Sequence, residues 1–334
     1  MNFNECTEVP NRYAGSDRKK TILIDNNRYL LKFPDPTRKK ARNISYINNA
    51  FSEYVGCKIF ESVGVPVQSV LLGTYTEQSG KVKIACACKD FCDEGFELYE
   101  VENLLLSNTD SGSTDRTDLD CILSFIDSNG DLSSALKERF YDTFVLDCII
   151  CNADRHNGNW GLLINAETGE KRIAPVYDCG SALSPLIPDN FLDDATAKNN
   201  VLNTKSAIMI DGKRIWSSDY IKSGINSDLN NAVDRIYARF DLEKVKSIID
   251  NTPYLSEERK DFYKSIVSYG YNLVLLPAHN RQSKLETNHN RASALAPIRE
   301  AASLSMRLSI SKDLANKRNA DIDTSLNATK ETSL

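Results

Sequence analysis

The spacing of apolar residues changes along this chain of 334 residues. In the N-terminal part, short apolar runs are separated by turn-forming residues, which predicts strands joined by hairpins. Residues 21–25 and 28–33 flank Asn26-Asn27, a pair that tolerates the positive φ of a two-residue hairpin loop. Residues 67–76 and 81–91 predict a second hairpin in the same way.

One helix interrupts this strand-rich part of the chain. Phe51, Val55 and Ile59 recur at four-residue spacing within residues 47–63, and Gly64 ends the pattern. Farther along the chain four-residue spacing dominates, and an Asp-Gly pair predicts a hairpin near residues 207–212. The later helices are expected at residues 136–151, 232–240, 242–249 and 256–276.

These patterns predict an α+β fold in three parts. Residues 1–92 form a β-rich N-lobe with one helix, and residues 93–280 form a mainly helical C-lobe. Residues 281–334 contain no aromatic residue and carry nine Lys/Arg against six Asp/Glu, a composition typical of a mobile, basic tail. The alternative for part of this tail is a basic amphipathic helix at residues 303–317.

Composition narrows the possible functions. The net charge of −5 and the pI of about 5.5 are unlike those of a general nucleic-acid-binding protein, so no nucleic acid is expected as a partner. No apolar run approaches the roughly 20 residues that span a membrane. The N-terminus lacks the pattern of a secretory signal, which favours synthesis in the cytoplasm. Export to a host cell would need a signal that this sequence does not reveal.

Three polar residues occur in an order that suits phosphoryl transfer. Asp154 follows an apolar helix, Asn159 comes five residues later, and Asp178 follows two short strands predicted at residues 160–164 and 172–176. In kinases one Asp accepts the proton of the attacking hydroxyl, while an Asn and a second Asp hold Mg²⁺. The alternative is that Asp154 and Asn159 are turn residues, since both types favour turns.

Arg155 and His156 lie inside this motif. A lone Arg can pair with a surface carboxylate, and a lone His is commonly a hydrogen-bonded structural residue. We expect both side chains to organise the catalytic loop, and a direct catalytic role for His156 stays open.

A lysine and a glutamate upstream complete a nucleotide site. Lys32 ends an apolar strand, where it either lies along the sheet edge or reaches into a cleft and meets phosphates. Glu53 shares a helix face with Cys57 and Phe60, which favours a charged partner for its carboxylate. We predict a Lys32–Glu53 ion pair; the alternatives are Glu61 as the partner of Lys32, or a solvated Glu53.

The residues before the first hairpin could cover the phosphates. Gly15 and Ser16 are small enough for backbone N–H groups to approach a phosphate. An ordinary entry loop fits this segment equally well, because it holds a single glycine.

Nine cysteines raise the question of a metal site. Cys86 and Cys88 lie in one apolar strand, and Cys148 and Cys151 in one apolar helix. Free cysteine behaves as a small apolar residue in cores, and an odd count without a signal peptide fits reduced thiols. We therefore expect core packing and no structural metal.

Several strings along the chain resemble the HipA-like kinases, in order from about residue 12 to residue 280. They include Y-L-L-K-F-P, F-S-E-Y-V, A-C-K-D-F, D-R-H-N-G-N-W-G and D-C-G-S. The central D-R-H-x-x-N motif is also similar to that of the phosphatidylinositol 3- and 4-kinases. The phosphate-covering loop departs from the family, because glycines expected around Ala14 and Arg18 are missing.

The resemblance implies a two-lobed, protein-kinase-like fold and Mg²⁺-ATP-dependent phosphorylation of Ser/Thr in a protein substrate, with autophosphorylation. By position, Lys32 would be the ATP lysine, Asp154 the catalytic Asp, and Asn159 and Asp178 the metal ligands. The segment Ala87-Cys88-Lys89-Asp90 would form the hinge that faces adenine. A bacterial effector or toxin-like role is the corresponding biological expectation.

Two other functions remain open from the sequence. A lipid or small-molecule kinase would use the same chemistry, although no convincing membrane-docking loop is present. A catalytically inactive, kinase-like binding module would be expected to have lost the lysine or the metal ligands, and all of them are present. No motif identifies a regulatory partner.

Overall fold

The computed structural model describes residues 1–10, 20–34, 48–92, 95–107 and 117–281. Residues Met1–His279 form one compact unit, and the chain from Asn280 onwards is a separate one. The predicted phosphate-covering loop with Gly15 and Ser16, and the predicted tail beyond residue 281, lie outside the described residues.

Strands dominate the first part of the chain and helices the second. The strands are β1 Thr7–Val9, β2 Lys20–Ile24, β3 Asn27–Lys32, β4 Val70–Thr76, β5 Val82–Lys89, β6 Phe96–Glu100, β7 Gly161–Asn165, β8 Lys171–Ile173, β9 Lys205–Ile210 and β10 Lys213–Trp216. The helices are α1 Asn49–Ser62, α2 Val101–Ser107, α3 Leu119–Asp127, α4 Ser133–Ile149, α5 Asp194–Asn203, α6 Ser217–Ser223, α7 Ser227–Arg239, α8 Leu242–Asp250 and α9 Glu257–Gly270. None of these helices is long and apolar enough to cross a membrane.

The first five strands form one antiparallel sheet in the order β1-β2-β3-β5-β4. Both hairpins predicted from the sequence are present. The loop of the first one was placed one residue too late, because Asn27 already pairs with Ile24 in the ladder. The two loop residues are Asp25 and Asn26, with φ of 48° and 62°, as a tight two-residue hairpin loop requires.

The two faces of this sheet pack against different partners, because side chains alternate along a strand. Leu31, Ala85 and Ala87 lie in a small core with Phe3 and Ile22. On the other face, Val70, Leu72, Cys86 and Cys88 belong to the main core, which includes the buried side of α1. Lys32 pairs with Cys86 across the β3–β5 ladder.

Helix α1 is held by the C-terminal helices as well as by the sheet. The Ser52 hydroxyl lies 3.4 Å from the hydroxyl of Tyr263 on α9. Lys244 on α8 donates from Nζ to the carbonyl of Ser62 at 3.2 Å. These contacts fix where α1 presents its remaining side chains to the sheet.

Helix α4 forms the centre of the helical part, and its C-terminal two turns are buried almost completely. Asp142 on this helix binds Arg235 at 2.7 Å and Arg239 at 2.9 Å, which joins α4 to α7. Each predicted late helix is present with slightly different ends. Ser256 caps α9 by accepting from the Arg259 N–H, and a π-helical turn, Tyr271–Leu275, continues it.

Two small sheets flank the catalytic segment. Strands β7 and β8 form the predicted hairpin, and β6 adds to β7 as a third, antiparallel strand. Strands β9 and β10 form the predicted hairpin around Asp211 and Gly212. Strand β6 did not stand out in the sequence, because its pattern is short and broken by charged residues.

Candidate active site

The loop that carries Asp154 begins at the end of the buried helix α4. Cys151 has a φ of 56°, so the chain turns sharply out of the core just after the helix. Three residues later the Asp154 side chain is exposed, and its backbone carbonyl accepts a 2.7 Å hydrogen bond from Asn159 Nδ2. The Asn159 side chain is largely buried. Because Nδ2 donates to the Asp154 carbonyl, the amide oxygen is the atom of this side chain that could bind a metal. The spacing of five residues therefore closes a rigid loop.

Arg155 ties this loop to the surrounding elements from a buried position. Its guanidinium binds the Asp147 carboxylate on α4 through Nε at 2.9 Å and Nη2 at 3.3 Å. Nη1 donates to the carbonyl of Asn159 at 3.1 Å and also to the carbonyl of Tyr177. Burial alone would lower the pKa of Arg155, but Asp147 and the neighbouring Cys179 sulfur raise it well above the usual value. These contacts link Asp147, the Asp154–Asn159 loop and the backbone before Asp178.

His156 contributes to the same loop. Its Nδ1 accepts the N–H of Gly158 at 3.0 Å, which caps the short turn Asn157–Asn159. The backbone of Asn157–Asn159 then leads into strand β7. This bond is compatible with a loop-organising role for His156, which stays a prediction.

Asp178 follows strand β8 and lies in a strained conformation. Its φ is 56°, unusual for a residue other than glycine and common at functional sites. The segment between β8 and Asp178 is anchored to the N-terminal part, since the Val176 N–H donates to Pro66 O and the Val176 carbonyl accepts from Gln68 N. The carboxylate is 43% exposed and meets Lys32 Nζ at 2.7 Å.

Lys32 lies between two carboxylates. Its Nζ is 2.9 Å from Glu53 Oε2 and 2.7 Å from Asp178 Oδ1. The predicted Lys32–Glu53 ion pair is confirmed. Glu61 instead pairs with Lys58. Burial of Lys32 would lower its pKa, but Asp178 and Glu53 outweigh this effect and raise the pKa well above its usual value.

Close packing brings α1 against the segment that carries Asp178. A Cβ on Gly56 would lie 2.7 Å from Cys179 Cβ, so only glycine permits this approach. A Cβ on Gly180 would lie 3.1 Å from Glu53 Oε2. A hydrogen bond with Cys179, together with burial, raises the pKa of the Cys57 thiol well above its usual value. The sequence analysis assigned no role to Gly56 or Gly180. In the sequence, only their positions close to Glu53 and Asp178 distinguish them from other glycines.

Ser181 contacts the candidate catalytic Asp directly. Its hydroxyl donates to Asp154 Oδ2 at 3.3 Å. A hydroxyl of this chain therefore lies at the carboxylate that would receive the proton of an attacking hydroxyl. The sequence analysis did not single out Ser181.

The predicted adenine-facing segment lies largely inside the five-stranded sheet. Ala87 and Cys88 are buried and paired with both neighbouring strands. The Lys89 N–H donates to Ser69 O, and the Asp90 N–H donates to Arg28 O. Most backbone groups of Ala87-Cys88-Lys89-Asp90 are thus hydrogen-bonded within the protein.

The structure brings the two halves of the predicted site together. Lys32, Glu53 and Asp178 meet through ion pairs, and Arg155 links the Asp154–Asn159 loop to the backbone just before Asp178. Asp147 was missed, although a carboxylate within the apolar run of α4 was a signal for a buried partner. The four cysteines expected in the core, Cys86, Cys88, Cys148 and Cys151, are all buried and free.

Comparisons with known proteins agree on one class. No family model matches the chain. The serine/threonine-protein kinase CtkA of Helicobacter pylori is 36% identical over 307 residues, which covers 87% of this chain and 91% of CtkA. The crystal structure of the H. pylori proinflammatory kinase CtkA matches with a TM-score of 0.73 and 34% identity, covering 86% of this chain and 99% of that one.

A more distant structure shares the fold. HipA of Shewanella oneidensis MR-1, solved with HipB and its operator DNA, has a TM-score of 0.51 and 13% identity, covering 83% of this chain and 71% of that one. The fold is therefore that of the two-lobed, protein-kinase-like phosphotransferases. With the identity to CtkA over most of both chains, this chain belongs to the HipA-like serine/threonine-protein kinases.

Proposed function

We propose that the chain transfers the γ-phosphate of ATP, bound with Mg²⁺, to a serine or threonine of a protein substrate. The observation that carries this proposal is the meeting of Lys32, Glu53 and Asp178 beside a loop that exposes Asp154 and fixes Asn159. These are the parts that phosphoryl transfer requires for positioning and for charge neutralisation.

The proposed metal ligands suit Mg²⁺. Asp178 offers a partly exposed carboxylate. Asn159 offers its amide oxygen, because the amide nitrogen already donates to the Asp154 carbonyl. Mg²⁺ prefers such hard oxygen ligands and keeps several waters. When bound, the ion would neutralise charge that develops on the phosphates.

The chain's own residues then have separate tasks. Lys32, held by Glu53, would place an ammonium on the phosphates as a point charge. Asp154 would accept the proton of the substrate hydroxyl. At the same time the hydroxyl oxygen would bond to the γ-phosphorus, and the bond between that phosphorus and the ADP oxygen would break. Arg155 and His156 would keep the loop in place without touching substrate. Leu30 shares a sheet face with Lys32 and would lie over the base, near the end of the Ala87–Asp90 segment.

A protein substrate is favoured over a lipid or a small molecule. The support is the 36% identity to CtkA, which is a serine/threonine-protein kinase. Autophosphorylation belongs to the same proposal, because Ser181 shows that a hydroxyl of this chain can lie against Asp154. An effector role rests only on the likeness to CtkA, which is described as proinflammatory.

The proposal is tested by incubating purified protein with Mg²⁺ and γ-labelled ATP, alone and with casein as a generic substrate. We expect label on serine or threonine in both samples, and its loss when EDTA removes the metal. Asp154→Ala is the matched control and should transfer no label above background. Labelling that is equal in the wild type and in Asp154→Ala would contradict the proposal.

A further inference from the structure

A groove of about 700 Å³ opens beside Asp154. The catalytic loop, residues 181–187, the end of α5 and the β9–β10 hairpin form its wall. Asp154 and Ser181 lie on this wall, whereas the phosphate lysine and the proposed metal ligands are not among the described residues that line it. The groove therefore borders the side of Asp154 from which an acceptor hydroxyl would approach.

The side chain of Arg214 places a positive charge on the wall of this groove. Arg214, on β10, donates from Nε to the carbonyl of Ser206 at 2.7 Å. Its Nη2 donates to the carbonyls of Lys205 at 3.1 Å and Ala153 at 3.2 Å. Ala153 directly precedes Asp154, so these bonds hold the guanidinium next to the catalytic loop.

Among the residues that the structure describes, no carboxylate pairs with Arg214, which is exposed, and its Nη1 group makes no hydrogen bond. Backbone carbonyls satisfy donors but supply no net negative charge. A guanidinium with free donors at a groove suits a carboxylate, which it can bind through two parallel hydrogen bonds.

An apolar strip completes the wall of the groove. Leu186 and Ile187 supply this strip on the same wall as Arg214. A cation with free donors next to an apolar strip fits an extended peptide better than a small solute.

We propose that this groove binds the protein substrate around its acceptor serine or threonine, and that Arg214 selects an acidic side chain close to that acceptor. This inference rests on the proposed kinase activity and adds the substrate class. Arg214 would contribute to specificity by binding a carboxylate of the substrate and not the γ-phosphate, since Lys32, Asn159 and Asp178 are not among the described residues that line the groove.

The test measures kcat/KM for serine peptides in which each flanking position is, in turn, Glu or Lys. For the wild type we expect a preference for Glu of about tenfold or more at one position, the scale of a hydrogen bond to a charged group. Arg214→Glu should reverse the preference at that position, and Arg214→Gln should abolish it. Lys213→Glu makes the same charge change on the opposite strand face and should leave the preference intact.

The outcomes separate the inference from the activity on which it rests. A wild type that phosphorylates no peptide or protein would refute the proposed function itself. An active wild type without an acidic preference, or one whose preference persists in both Arg214 variants, would overturn only the inference. A uniform rate loss on all peptides in Arg214→Gln, with the preference kept, would place Arg214 on the transferred phosphate instead and would also overturn it.

Discussion

The two halves of the proposed active site are built from different kinds of contact. Within the Asp154 loop, the bonds of Asn159 to Asp154 and of Gly158 to His156 join residues at most five positions apart. Arg155 adds bonds to Asp147 and Tyr177, eight and 22 positions away. The Lys32 cluster instead joins residues 21 and 146 positions apart. The bonds within the loop can form as soon as helix α4 has ended. The Lys32 cluster, in contrast, exists only when α1, β3 and Asp178 are brought together. We therefore expect the cluster to be the adjustable half.

Solvent contact separates the two halves as well. Arg155 is only 9% exposed and Asp147 only 4%, so their ion pair has little access to water. Asp178 is 43% exposed, and water or a ligand can replace Lys32 at its carboxylate. Removing a partner from the buried pair leaves an uncompensated charge, whereas the open cluster can be rehydrated. Stability and function should therefore respond differently in the two halves.

The largest loss of stability is expected for Arg155→Ala. This variant leaves Asp147 buried without its partner and removes the bonds to the loop carbonyls. We expect the free energy of unfolding to fall by about 3–5 kcal/mol in urea denaturation. Arg172→Ala removes an exposed arginine paired with Glu170 and should stay close to the wild type. Similar losses in both variants would mean that the buried network is not what holds the loop.

A smaller loss is expected for Gly56→Ala. The added Cβ would meet Cys179 at 2.7 Å, so α1 must move away from the Asp178 segment. We expect about 1–3 kcal/mol of destabilisation from overpacking, together with weaker ATP binding because Glu53 moves with α1. Lys58→Ala, on the exposed side of the same helix, is the control. Unchanged ATP affinity in Gly56→Ala would show that the position of α1 does not govern the cluster.

Substitutions of Lys32 and Glu53 should have coupled effects on ATP binding without unfolding the protein. We expect Lys32→Met to reduce phosphoryl transfer by about 10²-fold or more, because a positioned charge is lost at the phosphates. A double-mutant cycle with Glu53→Gln should give a coupling energy on the order of 0.5–3 kcal/mol in ATP binding, as expected for groups in direct contact. If Lys32→Met spares ATP affinity and mainly lowers the melting temperature, the lysine serves the sheet and not the nucleotide.

The smallest effect is expected for removal of the tail. Every residue proposed for the chemical step lies before Gly180, Arg214 also precedes the tail, and the segment beyond residue 285 contains no aromatic residue. Truncation there should leave both halves of the site intact, with an unchanged melting temperature and with autophosphorylation retained. An insoluble or inactive truncation would place the predicted boundary at residue 280 in error.

The contrast between local and distant contacts also explains what the sequence predicted. The Asp154–Asn159 loop could be recognised from its spacing, because its residues lie close together between a helix and a strand and are joined by a local hydrogen bond. The Lys32–Glu53 pair followed from the apolar surroundings of two charges. Arg214 and Ser181 could not be found in this way, since their importance depends on a hairpin and a turn reaching the loop from elsewhere in the chain. The role of Gly56 could not be predicted either, because its close approach to Cys179 is a property of the packed structure.

The central claim is that Asp178 holds the metal and nucleotide while Asp154 serves only the chemical step. Titration of Mg²⁺-ATP into Asp178→Asn and Asp154→Ala, with the rate of label transfer measured on the same samples, tests this division directly. We predict nearly wild-type affinity for Asp154→Ala, clearly weaker affinity for Asp178→Asn, and a rate loss of about 10²-fold or more in both. Near-wild-type transfer by either variant would contradict the account.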